Sequence, residues 1–301
     1  MQEVQFKRTE LEDRKLMHSY FQKFPSRSCE RTFANALLWS RHYPVTYAMI
    51  EDTLVFRSTE DGEEAFAYPV GEPENVKKAL EFLTDYTKEK GLPFVLYLVT
   101  SEQFEQLEMW YPGRFEIEYE RDAADYIYES EKLATLSGKK LHSKRNHINK
   151  FKATYENWGY ETMSKDNVEE CFQMALKWRN ENGCNDDHEK NAEMCVTLNT
   201  LRLFEELELV GGILRIDGQV VAFTVGEPMC EDMFVVHIEK AYADIQGAYP
   251  MINQQFVEHE CRNYKYVNRE DDTGSEGLRK AKLSYRPAFL VEKGLVKEKL
   301  Q

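Results

Sequence analysis

The chain has 301 residues and a formal net charge of −14; 42% of its residues are hydrophobic and 31% are charged. This length accommodates two domains with separate cores, and the composition excludes a disordered, fibrous or integral membrane protein. The acidic balance also argues against broad electrostatic attraction to nucleic acid or anionic lipid, which needs a basic surface.

The N-terminus, the apolar runs and the cysteines all indicate a cytoplasmic protein. The longest apolar runs, such as residues 94–99, are far shorter than the roughly 20 residues of a membrane-spanning helix. Residues 1–14 lack the apolar centre of a signal peptide. The six cysteines include no Cys-x-x-Cys pair, which favours a reducing compartment. We therefore expect no transmembrane segment.

In the first half of the chain, apolar periodicity and turn residues predict an order of strand, two helices, three strands, helix, strand, helix and strand. The helix over residues 74–90 is the clearest, because it begins after Pro73, ends at Gly91 and carries an apolar stripe. The other predictions are strands at 4–7, 45–50, 54–58, 65–70, 94–99 and 115–119, and helices at 10–24, 32–39 and 101–110.

The second half repeats this order of elements, although the residues themselves do not repeat. Its strongest local signal is the Asp217-Gly218 pair, which is typical of a tight hairpin between strands at 209–216 and 219–226. The remaining predictions are strands at 160–163, 233–239 and 264–267, and helices at 166–182, 191–207, 251–261 and 278–284.

Three local sequence segments add to this order of elements: residues 136–151, residues 237–241 and residues 268–287. The element order resembles the acyltransferase fold of the GNAT superfamily. Two such units in tandem, together with these segments, resemble the C-terminal synthase domain of phosphatidylglycerol lysyltransferases and the Fem-type aminoacyl transferases. The resemblance implies an α+β fold of two acyl-CoA N-acyltransferase-like (GNAT) units, each a mixed, splayed β-sheet flanked by helices. It further implies a degenerate unit at residues 1–135 and the active cleft in a unit at residues 136–301.

A basic block lies at residues 139–152, which contain six lysines or arginines, two histidines and no acidic residue. On an acidic protein such a block can act as a focused anion-binding patch. The candidate phosphate ligands are Lys144, Arg145 and Lys150, together with the amide of Asn149. A solvated linker between domains would have the same composition.

Glu239 follows a mostly apolar strand and is the first candidate for a general base. The resemblance implies this role, because many enzymes of the GNAT fold have a catalytic glutamate near the corresponding strand, and burial would raise its pKa. The alternative is a strand-end glutamate paired with Lys240 or Lys265. His237 could assist, although a lone histidine in an apolar strand is more often a hydrogen-bonded core residue.

Residues 268–287 combine a strand end, a loop with glycines and the start of a helix, an arrangement that often binds a ligand. Asp271 is the second candidate base. The candidate ligand-binding residues of this segment are Asn268, Glu270, Arg279 and Lys282, and the last two can share a helix face. A salt-bridged structural corner would have the same sequence.

The donor prediction depends on the loop at residues 244–249. Acetyl-CoA enzymes of the GNAT fold usually carry Q/R-x-x-G-x-G/A there, whereas this chain has Asp244 at the first position and Tyr249 at the last. Because an acidic residue would repel a pyrophosphate, the resemblance favours aminoacyl-tRNA as donor cosubstrate, which makes tRNA a candidate partner. The acceptor would be an amine or a hydroxyl, on a lipid head group or on a soluble molecule.

The sequence leaves two alternatives to aminoacyl transfer open. One keeps the fold but uses acyl-CoA as the donor for N-acyl transfer, and the other is a non-catalytic module that senses an anionic ligand or an RNA end. We expect no metal site, because Cys184 and His188 lack paired zinc spacing and residues 182–190 lack the calcium-loop pattern.

Overall fold

The computed structural model describes residues 4–60, 62–182 and 188–299, so Cys184, Asp186 and Asp187 lie outside the described residues. Its helices are α1 Arg14–Lys23, α2 Phe33–Trp39, α3 Pro73–Lys90, α4 Ser101–Trp110, α5 Ser130–Thr135, α6 His142–Thr154, α7 Val168–Glu181, α8 His188–Arg202, α9 Ala248–Glu260 and α10 Glu276–Leu283. Its strands are β1 Val45–Ile50, β2 Thr53–Glu60, β3 Glu63–Ala67, β4 Val95–Thr100, β5 Phe115–Tyr119, β6 Asp125–Glu129, β7 Trp158–Thr162, β8 Val210–Ile216, β9 Gln219–Cys230, β10 Met233–Ala241, β11 Tyr266–Asn268, β12 Phe289–Val291 and β13 Lys293–Glu298.

The chain forms two compact units, each assembled from more than one segment. The first comprises Met1–Asp125, Asp271–Ser275 and Leu290–Gln301, and the second comprises Tyr126–Glu270 and Glu276–Phe289. This division differs from the two continuous units, residues 1–135 and 136–301, that were expected from the sequence. Strand β6 pairs with β11, so the second unit begins earlier, and β13 pairs with β4 and β5, so the C-terminal segment returns to the first unit.

The first unit contains a six-stranded mixed sheet in the order β1-β2-β3-β4-β13-β5. The parallel pair is β3–β4. Helix α3 begins with Pro73 and ends at Gly91, whose φ of 67° is the left-handed conformation that favours glycine at a helix end. The strand predicted at residues 4–7 is wrong, because only Lys7 pairs its backbone with another residue, in a single bridge to Tyr47.

The second unit contains a seven-stranded mixed sheet in the order β12-β6-β11-β10-β9-β8-β7. Helix α9 packs against β8, β9 and β10, while α5 and α6 pack against α9. The segment containing the basic block, predicted only as an anion-binding patch or a linker, is largely helix α6. Each unit is therefore a mixed sheet flanked by helices, as predicted.

The parallel strands β10 and β11 separate after a short stretch. They pair only from Met233 to Val235 on β10, opposite Tyr266 to Asn268, whereas β10 continues to Ala241. The register of β10 against β9 also shifts between Val236 and Ile238, so His237 lies in a bulge. This separation opens a gap in the sheet of the second unit.

None of the described helices is long and apolar enough to cross a membrane.

Candidate active site

Two side-chain pairs bridge the gap between β10 and the residues that follow β11. The Nδ1 atom of His237 lies 2.8 Å from Oε1 of Glu270, and Nη2 of Arg269 donates to Oε1 of Glu239 at 3.0 Å. The gap therefore contains charged groups of both signs instead of a backbone ladder.

Glu239 is firmly held inside this gap. Its second oxygen, Oε2, accepts a hydrogen bond from Nδ2 of Asn253 on α9 at 2.9 Å. The side chains of Arg269 and Glu239 are only 11% and 12% exposed. Lys240, the neighbour considered as an alternative partner, instead bonds Glu193 at 2.6 Å. Both oxygens of Glu239 are thus engaged, one by a cation and one by an amide.

Three buried polar atoms near Glu239 have no hydrogen-bond partner among the described residues. They are Nη1 of Arg269, Oδ1 of Asn253 and Oγ1 of Thr224. Thr224 lies directly opposite Glu239 in the β9–β10 pair, so both side chains lie on the same face of the sheet. An unpaired buried polar group costs about 1–3 kcal/mol. Three of them around one carboxylate indicate a place where a ligand supplies the missing partners.

Lys144 on α6 extends this cluster. Its Nζ lies 4.0 Å from the ring centre of Tyr285, and the guanidinium carbon of Arg269 lies 4.9 Å from the same ring. Burial, reinforced by the positive charge of Arg269 and opposed by Glu239, lowers the pKa of Lys144 to about 8. Lys144 can therefore both carry a charge and lose its proton near neutral pH.

His237 is a charged structural residue. Its Nε2 lies 3.0 Å from Oε1 of Glu227, so the ring lies between two carboxylates. Burial alone would lower its pKa, but the hydrogen bonds to Glu227 and Glu270 raise the pKa to about 10. The imidazolium ties the bulge of β10 to the turn after β11.

This raised pKa predicts a pH effect on stability. Between about 6.5 and about 10, folded His237 keeps a proton that the unfolded chain has lost, so raising the pH should destabilise the protein. We expect the unfolding free energy to fall by up to about 1.4 kcal/mol per pH unit in this window from His237 alone. Chemical denaturation of wild type and His237→Gln between pH 6 and 10 measures the contribution of His237 as the difference between their unfolding free energies. Parallel curves for the two proteins would contradict the prediction.

Three of the predicted ligand-binding residues instead shape the turn after β11. Oδ1 of Asn268 accepts a hydrogen bond from the backbone N–H of Glu270 at 2.7 Å, and Glu270 has a φ of 56°. The ammonium of Lys282 donates to the carbonyl oxygens of Arg269 and Glu270 at 2.6 and 3.3 Å. These contacts fix the direction in which Arg269 leaves the strand.

The remaining predicted residues are more dispersed. Arg145 donates to the carbonyl oxygens of Leu136 and Gly138, which fixes the turn before α6. Asn149 and Lys150 are exposed on α6, and Arg279 is partly exposed on α10. Asp271 belongs to the first unit, where its Oδ1 accepts a hydrogen bond from the N–H of Thr273. The structure thus brings together Lys144, His237, Glu239 and Glu270 of the predicted set.

The loop before α9 is closely covered by α6. Gly247 has a φ of 87°, and a Cβ there would lie 2.8 Å from the carbonyl oxygen of His147 on α6. The segment that matches the pyrophosphate loop of acetyl-CoA enzymes is therefore packed against another helix at its glycine. Asp244, in the same loop, is exposed.

A separate ionic cluster is buried in the first unit. Nζ of Lys293 donates to Asp125 at 2.8 Å and to Glu30 at 2.7 Å, and Asp125 also accepts the backbone N–H of Cys29 at 2.8 Å. The side chains of Lys293 and Asp125 are fully buried. Cys29, Glu30 and Asp125 offer atoms in a metal-like grouping, but the Lys293 ammonium already supplies the positive charge there.

One family model matches most of the chain. It describes the phosphatidylglycerol lysyltransferase C-terminal domain and covers residues 21–296. A curated relative, an uncharacterized protein from Mycoplasmoides gallisepticum, is 28% identical over 193 residues, which are 62% of this chain and 61% of that protein. The matched part thus spans about three fifths of the length of that relative.

Two solved structures resemble this chain over almost its whole length. A conserved protein of unknown function from Bacteroides thetaiotaomicron VPI-5482 is 38% identical, with a TM-score of 0.91 over 99% of this chain and 100% of its own. The C-terminal domain of a putative lysylphosphatidylglycerol synthetase from Agrobacterium fabrum is 14% identical, with a TM-score of 0.67 over 95% of this chain and 91% of its own. The second likeness is one of fold.

Proposed function

This chain belongs to the phosphatidylglycerol lysyltransferase C-terminal family, and from that membership we propose that its second unit transfers an activated aminoacyl group to an amine or hydroxyl acceptor. One observation carries the proposal. Two cations, Lys144 and Arg269, lie against the ring of Tyr285 beside Glu239. This cluster occupies the gap between β10 and the turn after β11.

Acyl transfer needs a group that accepts the proton of the acceptor and a group that stabilises the oxyanion. Lys144, with a pKa of about 8, is the proton acceptor in this proposal. Arg269 offers its unpartnered Nη1 to the developing negative charge on the acyl oxygen. A buried guanidinium is effective there, because charge interactions are stronger away from water.

Glu239 serves in this proposal as a positioning residue rather than as the base predicted from the sequence. Both of its oxygens already accept hydrogen bonds, from Arg269 and from Asn253. A carboxylate held in this way orients the guanidinium and compensates its charge. It is less suited to abstract a proton than the amine of Lys144.

The exposed surface of the basic block, residues 139–152, supports an RNA donor. Four lysines of the basic block are exposed, and the block contains no acidic residue, so its charge is available to phosphates. The exposed lysines are Lys139, Lys140, Lys150 and Lys152. The loop at Gly247, covered by α6 and preceded by an exposed Asp244, is a poor match for the pyrophosphate of acyl-CoA. We therefore propose aminoacyl-tRNA as the donor.

The acceptor follows from the family. Its description names phosphatidylglycerol, so the hydroxyl of that lipid head group is the first acceptor to test. A soluble amine or alcohol would fit the same chemistry, because the proposed base acts on either group. The proposal is limited to the reaction of the second unit of this chain.

The test is a transfer assay with a labelled donor. The protein is incubated with labelled lysyl-tRNA and either phosphatidylglycerol vesicles or a panel of soluble amines and alcohols. We expect the label to move to an acceptor in the presence of wild-type protein. Labelled acetyl-CoA in a parallel reaction tests the acyl-CoA alternative. Binding of tRNA without transfer to any acceptor would overturn the proposal and favour a sensing module.

A further inference from the structure

The first unit contains a cavity of about 180 Å³ beside a buried guanidinium. Its walls are mostly rings and aliphatic groups, including Phe24, Tyr68, Val70 and Val76, and Arg31 is the charged residue among its lining. A cavity of about 150 Å³ holds one benzene molecule. The space therefore suits a ligand of about one ring.

The guanidinium of Arg31 is incompletely paired. Its Nη2 donates to the carbonyl oxygen of Tyr68 at 2.8 Å, whereas Nη1 is buried and has no hydrogen-bond partner among the described residues. A buried donor without a partner is costly, so this position favours a bound acceptor group.

The neighbouring Glu30 supports the charge of Arg31, but its carboxylate bonds other groups. The carboxylate of Glu30 bonds the ammonium of Lys293 at 2.7 Å and accepts a hydrogen bond from the hydroxyl of Ser28. Burial lowers the pKa of Arg31 to about 10, which leaves the guanidinium charged at neutral pH. The cavity thus has an apolar body and one guanidinium that stays charged at neutral pH.

We propose that this cavity of the first unit binds a small organic carboxylate, with the carboxylate on Arg31 and the apolar part against Phe24, Tyr68 and Val76. A guanidinium presents N–H donors in the geometry that a carboxylate accepts. Gln106, whose side chain accepts a hydrogen bond from the Tyr68 hydroxyl at 2.5 Å, leaves its amide N–H group for a polar substituent of the ligand. The proposal does not depend on the reaction of the second unit.

The test is calorimetric titration of the full chain with benzoate, and with benzyl alcohol as the neutral match. We expect benzoate to bind at millimolar concentrations or better, and benzyl alcohol at least about tenfold more weakly, since a charge-assisted hydrogen bond is lost. Arg31→Gln should weaken benzoate binding about tenfold or more. Lys88→Gln removes an exposed charge from the last turn of α3 in the same unit and should leave the affinity unchanged.

A second variant covers the case in which Arg31→Gln does not fold. Ser26 also lines the cavity, and Ser26→Leu should fill part of it while keeping the guanidinium. It should weaken benzoate binding without changing the charge, with a thermal melt as the folding check. Absence of benzoate binding, equal affinity for benzyl alcohol, or equal losses in Arg31→Gln and Lys88→Gln would each overturn the proposal.

Discussion

Replacing Lys144 with methionine should lower the rate of aminoacyl transfer by about 10²–10⁴-fold, the range that a positioned proton-transfer group contributes. Methionine keeps much of the length of the lysine side chain but cannot accept a proton. Lys144→Arg should be similarly inactive, because a guanidinium keeps its proton at neutral pH. Single-turnover transfer from labelled lysyl-tRNA measures the effect without contributions from product release.

The matched control is Lys150→Met, which removes the same charge from an exposed position on the same helix. It should weaken tRNA binding modestly while leaving the single-turnover rate at saturating donor near that of wild type. A Lys144→Arg variant with a wild-type rate would show that charge alone matters at this position. That outcome would remove Lys144 as the base.

Removing Arg269 should destabilise the second unit by about 3–5 kcal/mol, because the buried carboxylate of Glu239 would lose its charged partner. We expect Arg269→Met to show this loss and Arg269→Met/Glu239→Gln to recover a substantial part of it. The two side chains are too buried for water to replace the pair fully. Hydrogen exchange of β10 and β11 reports on the second unit without assuming that the whole chain unfolds in one step.

The Glu239→Gln variant completes a double-mutant cycle with Arg269→Met. A glutamine keeps the shape of Glu239 and can still bond Asn253, so the coupling isolates the charge interaction with Arg269. We expect a coupling energy above about 1 kcal/mol. Strictly additive losses would mean that Glu239 and Arg269 stabilise the site independently, and the positioning role of Glu239 would fail.

The order of elements could be predicted from the sequence because most of the strands and helices carry local signals. The hairpin at Asp217-Gly218 and the helix from Pro73 to Gly91 are formed as predicted. The fold of two mixed sheets flanked by helices and the phosphatidylglycerol lysyltransferase C-terminal family are likewise confirmed. Strands β6, β12 and β13 were not predicted. Strands β6 and β13 take their places through distant partners, β11 for one and β4 with β5 for the other.

The site was predicted less completely than the fold. Glu239 and Lys144 were predicted as site residues because each stands out against its local sequence, and both lie in the proposed cluster. Arg269 was not predicted, although its neighbours Asn268 and Glu270 were. The direction of its side chain depends on the left-handed backbone of Glu270 and on the bond from Lys282 to the Arg269 carbonyl. Tyr285 was not among the predicted site residues, yet its ring lies against both cations of the cluster. Such contacts come from the separation of β10 and β11, which local patterns do not encode.

The most direct test of the central claim is the pH dependence of single-turnover aminoacyl transfer between pH 6 and 10. If Lys144 is the base, the wild-type rate should rise about tenfold per pH unit and level off near its pKa of about 8. The small residual rate of Lys144→Met should lack that inflection. A wild-type rate that is already constant from pH 6 upward would contradict the account, because a residue other than Lys144 would then be accepting the proton.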